Sequence, residues 1–206
     1  MTDSTQISAI SDWLGSGSIN IFGLPFAGKD DQASRLEELL GGVRLGGGDI
    51  LRNGMTPEIK SYLDVGKLIP SKLFVEVVLP YLSQPELQNK PLILSSVGRW
   101  LGEEVGVMEV LKESDHPLKA VVFLDVSRDD ALERLHHSKT LKDRGDRGDD
   151  DEKLLMTRFE EFETKTLPVI ERYRDLGLLI EIDATESREA VRDSIIEKLV
   201  QRAAAQ

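Results

Sequence analysis

The chain has 206 residues, of which 40% are hydrophobic and 31% charged, with a formal net charge of −11 and no cysteine. That length suits one medium domain able to remove about 70% of its unfolded surface from water. The diffuse acidity disfavours non-specific nucleic-acid or anionic-membrane binding, and the missing cysteine excludes disulfides, thiol catalysis and cysteine-ligated zinc.

The N-terminal stretch "MTDSTQISAISDWLGSGS" carries an early acid and no apolar h-region, so no secretory signal is expected. No apolar run approaches the ~20 residues of a membrane span, and a cytoplasmic protein is the default expectation. Ile7, Ile10, Trp13 and Leu14 are spaced for a short helix, placed at 4–14. "GSGS" reads as a hinge before a buried strand at Ile19–Phe22. Leu36, Leu39 and Leu40 give the next segment one apolar helical face. "VRL" reads as a short strand. "GDILRN" opens a helix with Asp49 as its candidate N-cap. Thr56 and Pro57 start another helix, which stops near Gly66. "SKLFVEVVLPYL" reads as one apolar-faced helix. "KPLILSS" and "KAVVFLDV" are buried strands, and no helix is read between them. "RDDALERLHH" is helical, "SKTLKDRGDRGDDDE" is a polar loop, and 152–175 has a roughly helical period. "GLLIEIDA" is a further strand and "SREAVRDSIIEKLV" the last helix. Buried β runs that alternate with helices predict an α/β fold with a parallel sheet covered on both faces. The glycine loop, "SSVGR" and "DVSRDD" all follow strands, so they should gather at the carboxyl edge, where such sheets bind ligands.

Gly23-Leu24-Pro25-Phe26-Ala27-Gly28-Lys29 fits G-x-x-x-x-G-K. The glycines let backbone N–H groups turn toward phosphate oxygens, the lysine neutralises the β and γ phosphates, and the following helix presents its positive end. Asp30 and Asp31 come next, where a Ser or Thr hydroxyl usually ligates Mg²⁺. Either carboxylate could take over as a ligand to Mg²⁺ or its water. Alternatively, both simply favour the helix dipole and are solvated.

Several motifs in order resemble the adenylate kinase (nucleoside monophosphate kinase) family, over nearly the whole length from Ile19 to Leu199. "GLPFAGKDDQ" is similar to the family's G-x-P-G-x-G-K-G-T-Q loop, and "GGDILR" to its T-G-D-hydrophobic-L-R segment. "YLDVGKLIPSKLFVEVV" resembles its monophosphate-binding segment, and "LILSSVGRW" its L-D-G-F-P-R-T. "RGDRGDDDEKLLMTRFEEFETKTLPVIERYRDLG" resembles its R-x-D-D, Arg, Pro-x-hydrophobic-x-x-Tyr stretch. The resemblance implies a P-loop three-layer fold with a central parallel five-stranded sheet. The core would comprise 18–46, 91–136 and 151–206, with a small helical monophosphate-binding insert at 47–80 and a short lid at 137–150. The implied reaction is reversible, Mg²⁺-dependent γ-phosphoryl transfer from ATP to a nucleoside monophosphate, AMP first, giving two ADP, in a monomer. Lys29 would hold the transferred group, with Gly23, Gly28, Asp30 and Asp31 around the ATP phosphates. Arg52 and Arg99 would hold the monophosphate, with Gly47, Leu68, Ile69 and Glu103 around its nucleoside. Arg147 and Arg158 would close from the lid side, Arg144 competing with Arg147 for that role. Asp149 and Asp150 would hold lid arginines, and Arg134 would stack on the ATP base. His116, His136 and His137 read as surface or helix-end residues, and Trp13 and Trp100 as core or cover.

The chain departs from the family pattern in four places. Phe26 replaces a loop glycine, and Asp30 and Asp31 replace Gly and Thr. Ser95 replaces the strand-end acid that holds a water on Mg²⁺. Gly47 replaces a hydroxyl residue, and Glu103 a base-reading glutamine. Ser138, with Lys139 beside it, stands where a lid arginine is expected. The loss at Ser95 and the gain at Asp30 or Asp31 form a candidate exchange of one Mg²⁺-shell acid, with Asp31 named first. The Glu103 change leaves GMP, CMP or UMP as alternative acceptors. A weakly active or non-catalytic nucleotide-binding relative is the competing class, and another phosphoryl transferase on this scaffold is the third.

Overall fold

Residues 4–141 and 152–205 are described by a computed structural model. The central strand β1 (Ser18–Gly23) is buried along all its length, as a strand covered on both faces must be, and the Asn20 amide within it donates to the Val97 carbonyl at 2.7 Å. Around it lie β2 (Val43–Gly46), β3 (Leu92–Ser95), β4 (Leu118–Asp125) and β5 (Leu179–Asp183), in the order β2-β3-β1-β4-β5. Every neighbouring pair is parallel. The chain winds out to β2, returns to β3 beside β1, then crosses β1 to β4. The winding therefore reverses at β1, and the crevice at its carboxyl end is the expected ligand position.

Ten α-helices are described: α1 (Ser4–Leu14), α2 (Lys29–Leu40), α3 (Gly47–Asn53), α4 (Pro57–Leu63), α5 (Ser71–Val77), α6 (Glu103–Glu113), α7 (Arg128–Leu141), α8 (Glu152–Glu161), α9 (Leu167–Asp175) and α10 (Arg188–Ala204). Two apolar cores flank the sheet. The larger joins α1, α2 and α7–α10 to β1, β4 and β5 through residues such as Leu36, Leu135, Phe159 and Ile195. The smaller joins α3–α5 to β3 and α6 through Ile50, Ile59, Phe74, Leu94 and Val107. The segment 47–80 is thus packed onto β3, the neighbour of β1 at the crevice. No described helix is long and apolar enough to cross a membrane.

The parallel five-stranded α/β fold is as the sequence implies, with several local corrections. Asp49 does not cap α3; Gly46 does, and Asp49 instead pairs with Arg52 and Arg44. The "SKLFVEVVLPYL" stretch is not one helix. Pro80 has no N–H to continue it, and α5 passes into a 3₁₀ turn at Leu79–Ser83. Residues 152–175 run through a π-helical segment at Phe162–Thr166, next to Pro168 at the start of α9. The helix α6 was not anticipated. Gly106 interrupts its pattern, and in the fold that glycine lies against Leu79 of the 3₁₀ turn. The "GSGS" stretch is not a loose hinge. A Cβ on Gly17 would meet the Leu14 carbonyl at 2.8 Å, and Ser18 already belongs to β1. His116 is not a surface residue: it is 1% exposed, with Nδ1 2.7 Å from the Ser16 carbonyl.

Tyr173 on α9 lies fully buried, its ring 6.0 Å from that of Phe22. Its hydroxyl has no partner among the described residues, and burial pushes its pKa up. An unpaired buried hydroxyl costs desolvation without return, so Tyr173→Phe should leave stability unchanged or raise it by about 1 kcal/mol in urea unfolding. A loss of that size would mean the hydroxyl is bonded after all.

Candidate functional site

β1 ends at Gly23, and the chain turns through 24–28 into α2. A Cβ at Gly23 would stand 2.9 Å from the Leu124 carbonyl of β4, so no side chain fits where the loop leaves the sheet. Gly28 has φ 94°, a left-handed conformation that glycine takes without strain. Phe26 also sits in the left-handed region, at φ 66°. That is unfavourable for a bulky residue and costs on the order of 1–3 kcal/mol. Its ring is stowed against the larger core, which offsets part of the strain. Lys29 opens α2 and its Nζ donates to the Leu24 carbonyl at 3.1 Å, so the ammonium lies folded over the loop.

The two aspartates part company here. Asp30 Oδ1 accepts from the Ser95 hydroxyl at 2.8 Å, across to the end of β3. Asp31 points the other way, to Arg35 at 2.8 Å and Arg188 at 3.7 Å. The acid that meets the Ser95 position is Asp30, and Asp31, named first from sequence, joins an ion pair along α2. Arg134 on α7 sends its guanidinium to the Phe26 and Ala27 carbonyls, each at 3.4 Å, and to the Ala184 and Thr185 carbonyls beyond β5. It braces the phosphate loop against the last strand.

A cavity of about 820 Å³ opens on the other side of the β3 terminus. Its lining brings together Gly47, Arg52, Leu68, Ile69, Arg99, Glu103 and Arg158, seven residues drawn from four stretches of sequence. Arg52 donates to Asp49 at 2.6 Å along α3, which aims its head at the cavity mouth. Burial and then the like charge of Arg158 push the Arg99 pKa down to about 10, against the opposing pull of Glu161 and Glu103. Arg99 therefore stays cationic at neutral pH, and its buried Nε has no partner among the described residues. Two guanidinium groups facing one cavity, one of them with an unused buried donor, make a site that gains from an anion between them.

The family model described as adenylate kinase matches residues 21–178, from β1 to the start of β5. The chain belongs to the adenylate kinase family. A curated adenylate kinase from Leptospira biflexa is 32% identical, covering 86% of this chain and 96% of the relative. One from Thermodesulfovibrio yellowstonii is 31% identical, covering 84% and 94%. One from Archaeoglobus fulgidus is 28% identical, covering 86% and 96%. As a member of this family the chain is an ATP-binding phosphotransferase that acts on nucleoside monophosphates.

The end of β3 reaches both the phosphate loop and the cavity. Ser95 bonds Asp30 beside the phosphate loop, while Ser96, Gly98 and Arg99 line the cavity. The lid positions Arg144, Arg147, Asp149 and Asp150 lie outside the described residues, as do the side chains of Ser138 and Lys139. Sequence reasoning missed the roles of Trp100, Glu161, Lys165 and Ser71. Trp100 Nε1 donates to the Ile69 carbonyl at 2.9 Å, and Glu161 accepts from the Leu68 N–H at 3.0 Å. Lys165 sits 4.2 Å over the Trp100 ring and bonds Glu161 at 2.6 Å. The available signal was the Trp directly after Arg99, with Glu161 and Lys165 spaced i,i+4 on the segment that follows Arg158. Glu103 is committed as well: it accepts from Ser71 Oγ and from the backbone N–H groups of Arg99 and Trp100.

Gly47 explains one departure from the family pattern. A Cβ there would stand 2.7 Å from the Ser96 carbonyl, and Ser96 itself has φ 54°. The β3 end and the start of α3 are too close for a hydroxyl residue. Gly47→Ser should therefore lower stability by about 1–3 kcal/mol, as overpacked sites do, rather than restore a lost contact. An unchanged urea midpoint would contradict this.

Proposed function

We propose that this chain transfers the γ-phosphoryl group of ATP reversibly to AMP, giving two ADP, with Mg²⁺, as a cytoplasmic monomer. The observation that carries the reading is Arg99, half-buried beside Arg158 with a buried Nε that has no partner among the described residues, just beyond the strand that also reaches the phosphate loop. AMP is taken first because of the family.

In such a transfer the moving group spreads negative charge over its equatorial oxygens, and catalysis is mostly positioning and electrostatic clamping. Lys29 would leave the Leu24 carbonyl and meet the β and γ phosphates, with the backbone N–H groups of 24–28 around them. Arg99 and Arg52 would hold the acceptor phosphate, and Arg158 would face the transferring group. Arg147 is assigned to the same group by its motif. Arg134 would keep the loop carbonyls turned away from the phosphates and flank the base of ATP. No proton relay is required, and none of the three histidines is given a part.

The oxygen donors present suit Mg²⁺. Asp30 and Ser95 meet at 2.8 Å beside the phosphate loop, and no cluster of three metal-ligating side chains exists among the described residues. A site with one carboxylate fits an ion that keeps most of its waters and is otherwise held by phosphate oxygens. When bound, the ion neutralises charge on the phosphates. Asp30 is the residue assigned to its water shell, and Asp31 is not.

A second reading, a weak or non-catalytic nucleotide binder, is favoured by the strained Phe26 and by the missing strand-end acid at Ser95. A coupled assay with ATP and AMP, with Lys29→Met as the blank, separates the two. Turnover well above the blank is expected. No turnover with ATP still bound would favour the binder. In the same assay Asp30→Ala should shift the Mg²⁺ dependence and Asp31→Ala should not; the reverse pattern would return the role to Asp31.

A further inference from the structure

We propose that Glu103 is a positioning residue that fastens the monophosphate-binding segment to Arg99, and that it does not read the base. The inference rests on the monophosphate-kinase reading of the cavity. Glu103 is the first residue of α6, after a left-handed Gly102, and is 7% exposed. Its Oε2 accepts from the backbone N–H of Arg99 at 2.8 Å and of Trp100 at 3.0 Å. Its Oε1 accepts from the Ser71 hydroxyl at 2.7 Å, at the start of α5. An ionised carboxylate has about four acceptor positions and no donor, so three are already filled. A bidentate contact to a base edge needs more than the one that remains. Adenine in particular needs a donor at N1, which an ionised Glu lacks.

The bonds around Glu103 form one circuit. Segment 68–71 is tied to the core at three points: Leu68 N–H to Glu161, the Ile69 carbonyl to Trp100, and Ser71 to Glu103. Trp100 is itself held through its N–H by Glu103 and under Lys165 by its ring. Arg99, whose guanidinium faces the cavity, takes its backbone position from the same carboxylate oxygen. A single buried carboxylate thus sets both the wall of the cavity and the cation inside it. Burial of its charge pushes its pKa up, and the three hydrogen bonds and the nearby Arg99 offset only part of that cost. Trading a glutamine for this glutamate exchanges recognition of a base for rigidity between two elements.

The test is equilibrium binding of AMP, GMP, CMP, UMP and ATP to the wild type, Glu103→Gln, Glu103→Ala, Ser71→Ala and the double variant. Gln keeps an acceptor for the two N–H groups and a donor for the Ser71 oxygen, so Glu103→Gln should keep the AMP:GMP affinity ratio within about twofold, well under the tenfold that one lost charged hydrogen bond is worth. Glu103→Ala should weaken all four monophosphates alike, by about tenfold, with ATP affinity unchanged. Ser71→Ala should act in the same direction, and the double variant should be no weaker than Glu103→Ala alone. Glu103→Gln and Ser71→Ala carry the test even where Glu103→Ala does not fold. A ratio that moves tenfold toward AMP in Glu103→Gln would overturn the assignment. So would equal losses for ATP and the monophosphates. Absence of monophosphate binding by the wild type would overturn this assignment and the functional reading together. A moving base ratio would overturn this assignment alone.

Discussion

Arg99 and Arg158 are two cations held on one cavity wall, and the rest of the site is arranged around the cost of keeping them there. Burial and mutual repulsion both act against the charge on Arg99. Glu103 and Glu161 oppose that, yet neither accepts from the Arg99 Nε, which has no partner among the described residues. Among the described residues that buried donor is left without an acceptor, next to a second guanidinium. Structures tolerate such an arrangement where a ligand supplies the missing acceptor. A phosphate between the two arginines would remove the repulsion.

The sheet makes this possible through a single strand end. β3 lies between β2 and β1, so the residues that leave it can turn toward the phosphate loop or toward the packed helices α3–α5. Ser95 takes the first direction, to Asp30, and Arg99 the second. Ser96, in a left-handed conformation, makes the turn between them, and its carbonyl leaves room for nothing larger than Gly47. The phosphate loop and the cavity are thus both reached from one short stretch, 95–99. The network of Trp100, Glu161, Lys165 and Glu103 then sets the far wall of the cavity against the same loop.

Much of this was legible in the sequence because spacing alone carries it. The buried strand β1 and the G-x-x-x-x-G-K loop that follows it stand where their order implies, and Arg52, Arg99 and Arg158 line one cavity. What was not legible depended on direction. Asp30 and Asp31 are neighbours, but successive helical residues point about 100° apart, so one meets Ser95 and the other Arg35. The helix α6 was hidden by Gly106, whose reason lies in a contact with Leu79 far away in sequence. His116 looked like a surface residue because nothing local announces that the Ser16 carbonyl will stand beside its ring. Glu103 looked like a base reader by position. Its three partners come from α5 and from the loop before α6, and only the fold brings them together.

The central claim is that the cavity binds its ligand by the phosphate, through Arg99. The most direct measurement is calorimetric binding of AMP against adenosine, which differ only in that group, to the wild type and to Arg99→Met. Two charge-assisted contacts at about 1.5–3 kcal/mol each predict AMP at least a hundredfold tighter than adenosine in the wild type, with most of that advantage gone in the variant. Equal affinity for AMP and adenosine, or an AMP advantage that survives Arg99→Met intact, would contradict the account.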